Sequence, residues 1–134
     1  MSDRVEMFAR TSAIVAREVA RDLRQRMTSG RCFLFRMHDI GNALRDCLDV
    51  SKDKIPADLT GLLIAVCFTV APNGAVVLVN QVVKREEILD WCAKQTNGGF
   101  VGHITRSEHG KSIGFIKVFC STPELAVGFK LEFS

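Results

Sequence analysis

The 134 residues are 47% apolar and 25% charged, enough for the core of one domain and too apolar for global disorder. The formal charge of +3 is weaker than the basic bias of a dedicated nucleic-acid binder. The five cysteines, Cys32, Cys47, Cys67, Cys92 and Cys120, are odd in number and scattered, which excludes a disulfide framework of the secreted type and predicts reduced thiols in the cytoplasm.

Asp3 and Glu6 stand among the first arginines, which argues against a transit peptide. The longest apolar run, Leu62 to Ala71, falls short of the about 20 residues that span a bilayer, so no membrane segment is expected.

The chain opens with a long helix. Asp3 and Glu6 form a capping-box pair, and Gly30 ends the helix. Val5, Phe8, Val15, Val19 and Leu23 share its apolar face, while Arg10, Arg17, Arg21 and Arg24 fall within an arc of about 60° on the opposite side. Cys32 to Phe35 is a short apolar run with the character of a strand. Asp39 then caps a second helix whose buried face is Ile40, Ala43, Leu44, Cys47 and Leu48.

Residues 51–58 are polar and broken by Pro56, a loop dividing a helical front (1–50) from a strand-rich back (59–134). Leu62–Ala71 and Ala75–Val83 read as β-branched strands joined by Pro72-Asn73-Gly74, whose Asn-Gly pair is a hairpin signal. A helix from Lys84 to about Thr96 turns Ile88, Leu89, Cys92 and Ala93 inward and stops at Asn97-Gly98-Gly99. Phe100–Thr105 and Ser112–Cys120 make a second hairpin around Ser107 to Gly110. Val127, Phe129, Leu131 and Phe133 alternate with polar or small residues, which predicts a closing half-buried strand.

The fold expected is a single α+β domain over 1–134, in the order α-(β)-α-β-β-α-β-β-β, with an antiparallel sheet of about five strands against a long N-terminal helix. The stretch strand-strand-helix-strand-strand-strand resembles the order in profilin-like, roadblock-like and PAS-like folds. That resemblance concerns architecture and implies no function.

Five groups of residues bear on chemistry. His38-Asp39-Ile40-Gly41 resembles the His-Asp doublet of metal-dependent phosphohydrolases, but no histidine precedes His38 to complete such a site, and a capping Asp39 explains the doublet. His103 and His109 with Cys92 or Cys120 lack the close ligand pairs of a structural zinc site. Cys120 beside His103 would be a nucleophile only if exposed in electropositive surroundings, and Cys120 ends an apolar strand. The glycine-rich run Asn97 to Gly102 follows a helix, whereas a phosphate cradle precedes one. The arginine stripe, with Arg10 about 21 Å from Arg24 along the helix, could follow a phosphate backbone. Glu18 and Asp22 beside it fit an ordinary solvated face.

Leu62–Ala71, read as a strand, carries no polar face and so requires cover on both sides, by helices or by another subunit. The function expected is therefore a non-enzymatic protein–protein interaction or assembly module, a homodimer, with no cofactor, no metal and no catalytic residue. The alternatives are an RNA-binding accessory protein using Arg10, Arg17, Arg21 and Arg24, and a small metal-dependent hydrolase built on His38 and Asp39.

Overall fold

The computed structural model describes residues 2–48, 59–104 and 115–134, and within them the side chains from residue 13 onward, except those of 37, 44 and 46–48. Among the described residues, five helices and four strands follow in the order α1 (Ser2–Met27), β1 (Cys32–Arg36), α2 (Met37–Leu48), α3 (Thr60–Val70), β2 (Ala75–Val79), α4 (Arg85–Ala93), β3 (Gly99–His103), β4 (Ile116–Cys120) and α5 (Pro123–Phe133). The side chains of the expected Asp3–Glu6 capping pair, the loop at 51–58 and the turn at Ser107–Gly110 lie outside what the structure describes.

The strands form one mixed sheet in the order β1-β3-β4-β2. β1 runs parallel to β3, with Phe33 beside Phe100 and Arg36 beside His103. β3 and β4 are antiparallel, as are β4 and β2. The sheet thus has four strands rather than the expected five, and it is not wholly antiparallel.

Two expected strands are helices. Residues Leu62–Ala71 fall in α3 and the capping residue after it. The run is apolar at nearly every position, so it carries neither a period of two nor a period of 3.6. Its length beyond a typical strand of about five or six residues is what favours the helix. Leu63, Val66 and Cys67 are its buried face, at i, i+3 and i+4. The Pro72-Asn73-Gly74 turn consequently joins a helix to β2, with the Gly74 N–H donating to the Ala71 carbonyl at 3.0 Å.

The C-terminal segment is α5. Thr122 caps it by accepting the Leu125 N–H at 3.1 Å, Pro123 supplies a fixed φ at the first helical position, and Glu124 lies in the first turn. Its buried residues are Leu125, Ala126, Phe129 and Phe133, whereas Val127 and Leu131 are exposed. The period-two pattern arose because Phe129 and Phe133 are also four residues apart. With these two segments helical, the element order of profilin-like, roadblock-like or PAS-like folds is not present.

Other expectations hold with shifted detail. α1 ends where Gly30 takes φ +74, and the Gln25 and Arg26 carbonyls of the last turn accept both the backbone N–H and the hydroxyl of Thr28 and Ser29 respectively. Val15, Val19 and Leu23 are buried as expected, together with Ala20. Val5 and Phe8 lie outside the described side chains, as do Leu44, Cys47 and Leu48 of α2. α2 begins two residues before Asp39, so Asp39 is a first-turn residue rather than the N-cap. Its Oδ2 accepts the Arg36 N–H at 2.9 Å, the reciprocal half of a capping box. In α4 the Glu87 carboxylate does the same for the Lys84 N–H at 2.7 Å. Ile88 and Cys92 face inward, but Leu89 and Ala93 are exposed, and Trp91 takes the buried place between them.

Helices cover both faces of the sheet, giving three layers and two cores. One core joins α1, α2 and α3 to Phe35, Phe100 and Phe119. Its sheet side is an aromatic row, Phe33 stacked on Phe100 at 5.8 Å and Phe100 on Phe119 at 5.7 Å. The other core joins α4 and α5 to Leu34, Val101, Val118 and Cys120. Trp91 meets Phe129 edge-on there at 5.3 Å. Gly99 opens β3 at φ +138, and a Cβ at that site would stand 2.6 Å from Ser121 Oγ, which accepts the Phe100 N–H.

Candidate functional site

β2 is an edge strand: β4 pairs with it on one side, and no described strand lies on the other. Its sequence, Ala-Val-Val-Leu-Val, holds no charge and no proline, the residues that usually protect a sheet edge. Val77 and Val79 point into the core under α5, and the alternate residues Val76 and Leu78 point to the opposite face at 37% and 44% exposure.

The helical layer stops short of that corner. α3 comes closest to the sheet over β3, where a Cβ at Gly102 would stand 3.0 Å from Cys67 Sγ, and over β4, where Phe68 meets Phe119 edge-on at 4.9 Å. Val76 is the register partner of Phe119 and Leu78 that of Lys117. The aromatic row of the covered sheet therefore passes into an exposed apolar corner of Phe68, Val76 and Leu78. Val82 and Phe115 are also exposed, just beyond the Val79–Ile116 pair that closes the ladder.

Arg17, Arg21 and Arg24 are exposed on α1, and the Arg10 side chain lies outside the described residues. The neighbouring flank of α1 is acidic. Glu18 and Asp22, with Arg26, Asp39 and Asn42, line a cleft of about 310 Å³ between α1 and α2. Arg26 places its guanidinium 4.1 Å from the centre of the Phe33 ring, a cation–π contact that ties the end of α1 to β1.

His38 is exposed and its Nε2 lies 3.1 Å from Asn42 Nδ2, one turn along α2. With Asp39 engaged at the helix start, the two side chains serve different local contacts. No group of three or more His, Cys, Asp or Glu side chains placed to hold a metal occurs among the described residues. His103 lies beside Arg36 in the β1–β3 register, and burial first, then the Arg36 charge, lowers its pKa below the ordinary histidine value. His109 lies outside the described residues.

Cys67 and Cys120 are fully buried, and burial pushes each thiol up to about 12. Such thiols are unreactive at neutral pH, and Cys120 is no exposed nucleophile. No helix among the described residues is long and apolar enough to cross a membrane.

The edge position of β2 is not readable from the sequence, because it follows from strand order, and strand order depends on the distant pairing of β1 with β3. Comparison of the chain with protein-family models, with curated proteins and with solved structures found no match.

Proposed function

We propose that the protein is a protein–protein interaction or assembly module that pairs with a second copy of itself through β2. The observation supporting this reading is an uncharged edge strand with an exposed apolar corner beside it. An antiparallel strand is complementary to its own copy. A two-fold axis at Val77 would set Val76 of one protomer near Leu78 of the other, join two four-stranded sheets into one, and satisfy the open backbone groups of both edges.

The test is the mass in solution of the wild type and of Val76→Lys with Leu78→Lys. Both positions are exposed, so the pair should fold and melt like the wild type. A dimeric wild type and a monomeric double variant are expected. A wild type that stays monomeric at high protein concentration, or a dimer indifferent to the two lysines, would remove the reading.

A second reading, an RNA-binding accessory protein, draws on the exposed Arg17, Arg21 and Arg24. It ranks lower because Glu18 and Asp22 adjoin the stripe and no exposed aromatic side chain among the described residues of α1 offers a stacking platform.

A further inference from the structure

The cleft between α1 and α2 adjoins β1, at the opposite end of the strand order from β2. It encloses about 310 Å³, the lower end of the range in which small molecules bind. Two of its lining residues are apolar and buried: Phe35 from β1, 1% exposed, and Val19 from the inward stripe of α1. The others include charges of both signs, the Arg26 guanidinium and the Asp22 and Asp39 carboxylates, with the Asn42 amide.

Three of these polar groups are held by contacts that leave binding atoms over. Arg26 lies 4.1 Å from the centre of the Phe33 ring. A cation–π contact engages the flat face of a guanidinium, so the N–H donors around its rim stay suited to a two-pronged carboxylate contact. Asp39 Oδ2 accepts the Arg36 N–H at 2.9 Å, which leaves Oδ1 for a second donor. Asn42 meets His38 through its Nδ2 at 3.1 Å, and its amide oxygen is a further acceptor. The acids do not form a cation cage, since no set of three or more His, Cys, Asp or Glu side chains placed for a metal occurs among the described residues. The cleft instead offers opposite charges beside an apolar floor.

We propose that this cleft binds a small zwitterion, an α-amino acid with an apolar side chain. Its carboxylate meets the rim of Arg26, its ammonium meets Asp22 and Asp39, and its side chain lies against Val19 and Phe35. Asp22 and Arg26 stand one turn apart on α1, which sets their Cβ atoms about 5–6 Å from each other. An ammonium and a carboxylate on one carbon can bridge that spacing. An amine of the same shape leaves Arg26 unmatched. A carboxylic acid of the same shape brings its negative charge to Asp22, Asp39 and the nearby Glu18, and like charges brought together cost affinity. Recognition by this cleft is therefore stricter than attraction of any cation.

The test is isothermal titration of the full chain with L-leucine, L-methionine and L-phenylalanine in separate runs. At least one should bind saturably, with a Kd below about 1 mM. The amine and the acid that share its side chain should each bind at least about tenfold more weakly. For leucine these are 3-methylbutylamine and 4-methylpentanoate. Asp22→Asn and Arg26→Gln lie at exposed positions and should each weaken the amino acid by a similar factor while the melting midpoint holds. If Arg26→Gln loosens α1 from β1, Arg26→Lys replaces it, keeping a cation at the Phe33 ring without the two-pronged contact. No saturable binding of any of the three up to about 10 mM would overturn the proposal. So would an amine or acid that binds as tightly as its parent, or affinity indifferent to the variants at Asp22 and Arg26.

Discussion

Replacing Phe129 by alanine tests both the helical reading of the C-terminus and the packing of the second core. Phe129 is fully buried, 5.3 Å from the Trp91 ring and 4.7 Å from the Phe133 ring. Returning such a side chain to water forfeits about 1.5–3 kcal/mol of burial, and each lost aromatic pair adds about 0.5–1.5 kcal/mol. The sum agrees with the about 3–5 kcal/mol found when a buried Phe is cut to Ala and a cavity is left. For a domain of this size that lowers the melting midpoint by roughly 10–20 °C. Leu131, two residues on, is 76% exposed, so Leu131→Ala should cost less than about 0.5 kcal/mol. Urea unfolding followed by Trp91 fluorescence reads both variants, because Trp91 is the single tryptophan and touches Phe129 directly. The urea dependence should keep its slope while the midpoint moves. Equal costs at 129 and 131 would match a strand with alternating faces and would refute α5 as described.

Further outcomes follow from other sites. His103 has a folded pKa below its ordinary 6.5, so the unfolded chain binds the extra proton, and stability should fall as pH drops through 6.5 toward the folded value. His103→Gln should flatten that stretch of the stability–pH curve, and an unchanged slope would remove the buried-histidine explanation. Arg10, Arg17, Arg21 and Arg24 changed together to Gln should leave the melting midpoint within about 2 °C, since glutamine keeps similar helix propensity and the described three are exposed. Filter binding to single-stranded and duplex RNA should show no salt-dependent affinity in the wild type. Tight low-salt binding that the four changes abolish would promote the RNA reading.

The elements that were legible in the sequence are those whose pattern and punctuation agree. α1 carries a sustained 3.6-residue stripe and a glycine stop, and Val15, Val19 and Leu23 are buried accordingly. β1, β3 and β4 are short apolar runs bounded by turn residues, and each expected strand overlaps the one found. α5 was misread although its start carried three helix signals together: Thr122 as cap, Pro123 and Glu124. The alternation downstream outweighed them, yet half of it, Val127 and Leu131, lies on the solvent side. α3 carried no pattern to read, because exposed positions such as Ala65 and Phe68 are as apolar as its buried Leu63, Val66 and Cys67.

The misreading of α3 bears directly on function. As a strand, Leu62–Ala71 seemed to demand cover on both faces, and that demand motivated the expectation of a second subunit. As a helix it buries one face, Leu63, Val66 and Cys67, in the core shared with α1 and the sheet, and leaves the other exposed. The original ground for a homodimer is therefore gone. A different ground takes its place at β2, where α3 stops short and leaves Val76, Leu78 and Phe68 exposed at an uncharged edge. Composition shows that the residues of β2 are apolar, while strand order, with β1 pairing to the distant β3, decides that they stand at a sheet edge.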